Sequence, residues 1–137
     1  MFSHSVEYAI RALTFLATQD PGKLSGAREI AEAEAIPMPF LWKILQKLAA
    51  KKLVRSFRGV RGGYELAKPA QRITVEKVLK EMGELQTLDR CILGFSQCRA
   101  KTPCGLHAMW GEQRDRWSEA LRKTTLADLA QAARRAA

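Results

Sequence analysis

The chain has 137 residues, enough for one domain with an appended arm, and 47% of them are hydrophobic, which argues against wholesale disorder. No apolar run approaches the roughly 20 residues that a membrane-spanning helix needs. The first residues also lack the basic and apolar segments of a secretion signal, so we expect a cytoplasmic protein with no membrane partner. The formal net charge of +9 indicates a polyanionic partner.

The first two predicted elements are amphipathic helices. The first spans about residues 4–18, because its apolar residues recur at helical spacing. The sequence Asp20-Pro21-Gly22 is typical of the turn that would end it. Ser25 is predicted to cap the second helix by accepting a hydrogen bond from a free backbone N–H, and that helix should stop before Pro37. The apolar residues of the first helix are Val6, Ala9, Ile10, Leu13, Leu16 and Ala17.

A third helix follows at once, with Pro39 in its first turn, where the missing N–H has no helical partner anyway. Two short helices joined by a tight turn, the second with cations and an amide on its outer face, predict a helix-turn-helix. Solvation of the outward lysines is the alternative interpretation. The predicted buried stripe is Leu41, Ile44, Leu45 and Leu48, and the predicted outward residues are Trp42, Lys43, Gln46 and Lys47.

The next segment predicts a β-hairpin with a cationic tip. Residues 53–57 and 63–67 read as two strands, and Arg58-Gly59-Val60-Arg61-Gly62 lies between them. A plain structural hairpin needs glycine but has no use for two arginines at its tip. Residues 43–72 also carry nine Lys and Arg residues against a single acid, Glu65. These patterns predict a winged helix whose third helix enters the major groove of DNA while the wing tip contacts phosphates or the minor groove.

The predicted partner is therefore double-stranded DNA. The candidate contact residues come from the second helix and its start, the third helix and the wing. They are Ser25, Arg28, Met38, Pro39, Trp42, Lys43, Gln46, Lys47, Ser56, Arg58 and Arg61.

The C-terminal part contains three further predicted helices, of which the middle one is the longest. Thr74 can cap a fourth helix that Gly83 ends. A long charged helix resumes from about residue 106, and its narrow apolar seam favours a partner helix in a homodimer over packing on the chain's own core. Thr125 and Asp128 are spaced like a capping box for a short last helix, after which the Ala- and Arg-rich tail should fray. The candidate dimer residues are Leu106, Trp110, Trp117 and Leu121.

All three cysteines lie within an irregular segment of about residues 86–106. Cys91, Cys98 and Cys104 are followed closely by His107. A disulfide would leave an odd thiol, and the cytoplasm disfavours one. Soft thiolates that converge from a loop suggest an iron–sulfur cluster or zinc, and both can use three Cys plus one further ligand. The spacing does not choose between these two metals.

The sequence predicts a mainly α fold with a small β-hairpin wing and a long C-terminal dimerisation helix. We divide it into a winged helix-turn-helix over residues 1–83, a cysteine loop over 84–106, and the dimerisation helix with its tail over 107–137. Since no nucleophile–base pair, nucleotide-binding glycine loop or paired-carboxylate pattern is present, we expect no enzymatic activity. A symmetric dimer of this kind fits a pseudo-palindromic DNA operator.

Four segments carry a family resemblance. They are Glu7-Tyr8-Ala9-Ile10-Arg11, Glu29-Ile30-Ala31-Glu32, the stretch from Ile36 to Leu48, and the wing from Ser56 to Ala67 with the cysteine triplet after it. This combination resembles the bacterial winged-helix iron–sulfur regulators that include IscR, a regulator of cluster assembly, and NsrR, a nitric-oxide-sensing repressor.

The resemblance implies a homodimer with crossed long helices and a 2Fe-2S or 4Fe-4S cluster held by the three cysteines. In IscR-like members the fourth ligand corresponds to His107, and in NsrR-like members it corresponds to Glu7, supplied by the partner subunit. Arg58 matches the family's wing arginine. Trp42 stands where IscR-like proteins have a glutamate that helps select DNA, so the IscR operator does not carry over. The expected function is a regulator, of repressor type, that senses redox, nitric oxide or iron status, with zinc-bound or metal-free cysteines as the alternative.

Overall fold

A computed structural model of the protein describes residues 2–95 and 104–136, and it is mainly helical with a two-stranded antiparallel hairpin. The predicted fold class is confirmed. Within the described ranges, no helix has the length and apolar character needed to cross a membrane. The elements are α1 His4–Thr18, α2 Ala27–Glu34, α3 Met38–Ala50, β1 Val54–Phe57, β2 Gly63–Leu66, α4 Val75–Glu81, α5 His107–Lys123 and α6 Leu126–Ala136, with 3-10 turns at Ala70–Arg72 and Leu85–Asp89.

The core lies where α1, α2, α3 and α4 meet. Ser3 caps α1, because its side chain accepts a hydrogen bond from the Val6 N–H. Thr74 caps α4 in the same way, by accepting from the Lys77 N–H, and this cap was predicted. Gly83 follows α4 with a φ of +78°, a conformation that suits glycine at a helix end. The predicted stripe of α3 is entirely buried, since Leu41, Ile44, Leu45 and Leu48 all belong to the core.

The wing is formed by β1 and β2, which pair from Val54 opposite Leu66 to Phe57 opposite Gly63. Its tip is residues 58–62, as predicted. The Gly62 N–H donates to the Gly59 carbonyl at 3.0 Å and closes the turn. A side chain at position 62 would collide with the Phe57 carbonyl, so the tight tip requires glycine there.

Ser25 has a different role from the one predicted. Its backbone pairs with that of Tyr64 in β2, through hydrogen bonds of 3.0 and 2.8 Å. This pairing turns the Ser25 side chain inward, where it is fully buried and its Oγ has no hydrogen-bond partner among the described residues. Gly26 is the residue that precedes α2, and no side chain caps that helix. The predictions that Ser25 caps α2 and that it contacts DNA are therefore wrong.

The C-terminal helix packs on the winged helix. Thr125 and Asp128 form the predicted capping box, with each side chain accepting from the other residue's N–H. The expected fraying after it does not occur, because α6 runs to Ala136 and the Arg134 guanidinium donates to the carbonyls of Ala17 and Thr18 at the end of α1. Leu121 and Leu126 are buried in the same core as α1, so the last part of the chain shares one core with the winged helix.

We expect Gly63→Ala to destabilise the protein by about 2 kcal/mol or more. The added Cβ would lie 2.8 Å from the Ser25 carbonyl oxygen, at a φ of +150°. Urea unfolding followed by circular dichroism measures the change. Gly26→Ala is the milder control, because no atom lies within 4 Å of its added Cβ. A loss of at most about 1 kcal/mol is expected, since Gly26 precedes α2 and glycine is preferred to alanine at that position. Equal stability of the two variants would contradict this role of Gly63.

Candidate DNA-binding surface and cysteine site

The outer face of α3 presents a mixed polar and aromatic surface. Pro39, Trp42, Lys43 and Gln46 are all exposed there. Lys43 can neutralise a phosphate, and the Gln46 amide has the paired donor and acceptor that match adenine in the major groove. Arg28, in the first turn of α2, is also exposed. This surface has the chemistry that a reading helix needs.

Two other residues predicted on this surface are engaged within the chain. The Lys47 ammonium donates to the Met82 carbonyl at 3.2 Å and so fastens α3 to the end of α4. Lys47 is nevertheless exposed, and an ammonium has three donors, so a phosphate contact stays open to it. Met38 is partly buried and packs against the core, which leaves less of its side chain for DNA than the sequence suggested.

The wing tip is cationic and free of acids. Ser56, Arg58 and Arg61 are exposed, and in the described ranges neither of these two arginines forms an ion pair. Arg55 differs, because it pairs with Glu65 at 3.7 Å and donates to the Ala67 carbonyl at 3.0 Å. The positive charge available to an anion therefore lies at the tip and not along the strands. Val60, which the sequence analysis did not single out, has a fully exposed side chain between the two arginines.

The cysteine site brings two of the three predicted thiols together. The Sγ atoms of Cys91 and Cys104 lie 3.9 Å apart, much farther than the roughly 2.05 Å of a disulfide. The Leu93 backbone N–H, with those of Phe95 and Gly94 and the Cys104 thiol, lowers the pKa of Cys91 against the opposing effect of burial. These backbone donors favour a thiolate at Cys91. These donors could not be predicted from the sequence, because they are backbone groups that every residue carries.

The rest of the predicted ligand set is not assembled in the part that the structure describes. Cys98 lies outside the described residues. Over residues 2–95 and 104–136, no three His, Cys, Asp or Glu side chains form a metal-binding group. His107 begins α5, and its N–H donates to the Cys104 carbonyl at 3.1 Å. Glu7 lies in the first turn of α1, where its carboxylate is 3.4 Å from the His4 imidazole.

The long helix α5 is joined to the cysteine segment at one end and to the core at the other. The Trp110 indole N–H donates to the Arg90 carbonyl at 2.9 Å, next to Cys91. Leu121 is buried in the chain's own core, so its predicted place in a dimer interface is wrong. Leu106 and Trp117 are exposed, with the Trp117 ring 5.6 Å from that of Phe2. Met109 is also exposed. The sequence pattern did not indicate it, because the seven-residue spacing from Trp110 to Trp117 does not include position 109.

Comparison with known proteins agrees with this architecture. The Rrf2 family model, described as an iron-dependent transcriptional regulator, matches residues 2–132. A candidate HTH-type transcriptional regulator of Aquifex aeolicus is 34% identical over 131 residues, which cover 94% of this chain and 90% of the relative. A candidate HTH-type regulator of Mycobacterium tuberculosis is 39% identical over 129 residues, covering 93% and 80%. These relatives are named as regulators and not as enzymes.

Two solved structures share the fold. CymR, the global cysteine regulator of Bacillus subtilis, superposes with a TM-score of 0.81 at 23% identity, covering 96% of each chain. The IscR of T. potens superposes with a TM-score of 0.74 at 23% identity, covering 97% of this chain and 88% of that one. The winged helix inferred from the sequence is thus confirmed.

We expect Arg58→Ala to weaken DNA binding about tenfold at low salt, and to reduce the slope of log affinity against log salt by about one for each wing. Fluorescence anisotropy with a labelled duplex at several salt concentrations measures both quantities. Arg135→Ala is the control, because it removes the same charge from α6, which packs on α1. Equal effects of the two substitutions would mean that the wing tip does not contact phosphate.

Proposed function

We propose that this chain, which belongs to the Rrf2 family of transcription regulators, binds a pseudo-palindromic operator as a homodimer and changes its DNA affinity with the state of an iron–sulfur cluster. Cys91, Cys98 and Cys104 would hold the cluster.

The observation that carries the cluster proposal is the approach of Cys91 to Cys104. Two thiolates bound at about 2.3 Å to one tetrahedral metal lie about 3.8 Å apart, and the observed separation is 3.9 Å. The backbone N–H groups of Leu93, Gly94 and Phe95 favour the thiolate form that such a metal requires. Hydrogen bonds to ligand sulfur also tune the reduction potential of iron–sulfur clusters. The two described cysteines therefore fit the group.

The fourth ligand would be His107 or Glu7. His107 lies three residues after Cys104 in the same chain, at the start of α5. Glu7 lies on α1 and would have to be supplied by the partner subunit. The cluster would be of the 2Fe-2S or 4Fe-4S type. The sulfur separation of 3.9 Å favours the 2Fe-2S type, because two cysteines can share one iron there, whereas each iron of a 4Fe-4S cluster takes a single protein ligand. When bound, the cluster would supply an iron centre that responds to oxidant, nitric oxide or iron loss.

The described contacts offer a route from the cysteines to the DNA-binding surface. Cys104 leads directly into α5, and Trp110 ties α5 to the backbone beside Cys91. At its other end, α5 continues into a short backbone pairing in which Val75 donates to the Thr124 carbonyl at 2.9 Å. A shift of the cysteine segment would therefore tilt α5 against a fixed end. In a dimer built on α5, such a tilt changes the spacing of the two reading helices.

The exposure of α5 supports the homodimer. Leu121 is the only buried residue of this 17-residue helix. Leu106, Met109 and Trp117 leave apolar surface uncovered in the isolated chain. A helix of this length gains most of its stability from packing an apolar face, so a second copy of α5 is the natural cover.

Zinc is the alternative occupant of the cysteine site. The separation of 3.9 Å between the two sulfurs suits a tetrahedral zinc ion as well as iron. In that case the cysteines would act structurally, or as thiol sensors once the metal is lost. The metal content of the protein separates these possibilities.

We expect protein purified without oxygen to show visible absorption and to contain iron and acid-labile sulfide in equal amounts. Cys91→Ser should lose most of both while it keeps its helical circular dichroism, because one of the proposed ligands is gone. Inductively coupled plasma spectrometry and a sulfide assay measure the metals. A colourless wild-type protein that carries zinc, or that takes up no iron after anaerobic reconstitution, would refute the cluster and leave a winged-helix DNA-binding protein.

A further inference from the structure

We propose that Trp42 reads the methyl group of a thymine in the major groove, so that the protein selects its DNA partly through an apolar contact. The inference rests on the proposed operator binding and adds the identity of one base in each half-site. It concerns a side chain whose exposure nothing else in the described chain explains.

Trp42 is well placed to reach a base edge. It lies in the N-terminal half of α3, one helical turn after Pro39 and one turn before Gln46, so the three residues share a face. The N-terminal residues of a recognition helix are the ones that contact base edges. Lys43 lies next to Trp42 on the same exposed surface. Its ammonium can bind a DNA phosphate and so fix the position of the helix on the duplex.

More than half of the Trp42 surface is exposed in the isolated chain. Trp42 is 55% exposed and Phe40 is 57% exposed. The centroid of the Phe40 ring lies 6.4 Å from that of Tyr8, so this exposed ring has an aromatic partner within the chain. Trp42, in contrast, takes part in no ring pair or cation–π contact among the residues described. Single exposed apolar residues are common on proteins. A tryptophan among polar residues on the proposed DNA-binding face is less common than a single exposed apolar residue elsewhere, and it indicates a contact with DNA.

The chemistry of the ring points to thymine. Indole has one N–H donor and no acceptor, so it cannot make the bidentate hydrogen bonds that identify guanine or adenine. Its large apolar surface needs an apolar partner. The C5 methyl of thymine is the apolar group that the base pairs present in the major groove. The site therefore favours a thymine at the position that Trp42 faces.

The test begins with DNA enriched from a random duplex library by wild-type protein kept without oxygen. Each dT of the enriched duplex is then replaced by dU, which removes only the methyl group. At one position in each half-site, we expect the replacement to weaken wild-type binding about fourfold, or about fifteenfold when both half-sites are changed. Trp42→Ala should bind the dT duplex more weakly than wild type does, and should not distinguish dT from dU at that position.

Lys43→Ala is the matched control, since it should weaken binding to the dT and dU duplexes by the same factor. Trp42 is exposed, so its variants should keep the wild-type melting temperature, which circular dichroism checks. If no dT replacement matters, or if Trp42→Ala still senses the methyl group, the inference is overturned while operator binding stands. If Trp42→Ala loses the same factor on every duplex, the ring packs on the sugar–phosphate backbone and the inference also fails. If no sequence is enriched, the proposed operator binding fails first.

Discussion

Two backbone hydrogen bonds between Ser25 and Tyr64 hold the wing beside the helix-turn-helix. They join the segment before α2 to strand β2, and they allow no side chain at Gly63, whose position brings the two backbones into contact. The third helix and the wing tip must meet one DNA duplex together, so their relative position has to be fixed before binding. Every contact proposed for Trp42, Lys43 and Arg58 depends on this junction.

A second constraint concerns α5, which is anchored unequally along its length. Its C-terminal end is held by Leu121 in the core and by the pairing of Val75 with Thr124. Its N-terminal end starts three residues after Cys104 and is tied to the cysteine segment through Trp110 and Arg90. A rigid helix fixed at one end converts a small displacement at the other into a rotation. In the proposed dimer, this arrangement would couple the cysteine site to the position of the two DNA-binding surfaces.

Local patterns predicted most of the elements, and long-range contacts explain the failures. Periodicity identified the buried stripe of α3, and spacing identified the Thr125–Asp128 capping box. The seam of α5 was misread at Leu121, because a helical repeat does not say whether the partner is a second chain or the chain's own core. Arg134 holds α6 to carbonyls 117 and 116 residues away, a contact that no local rule reveals. The same limit explains Ser25, whose pairing with Tyr64 overrode its propensity to cap a helix.

The most direct test of the account is the DNA affinity of one anaerobic preparation, measured by anisotropy before and after its iron is removed with a chelator. We expect the affinity for the enriched duplex to change at least about tenfold, within the range typical of coupled sites. Cys91→Ser should bind with the affinity of the iron-free protein and should not respond to the chelator. Equal affinity with and without iron would contradict the account, because the cysteine site would then have no influence on the DNA-binding surface.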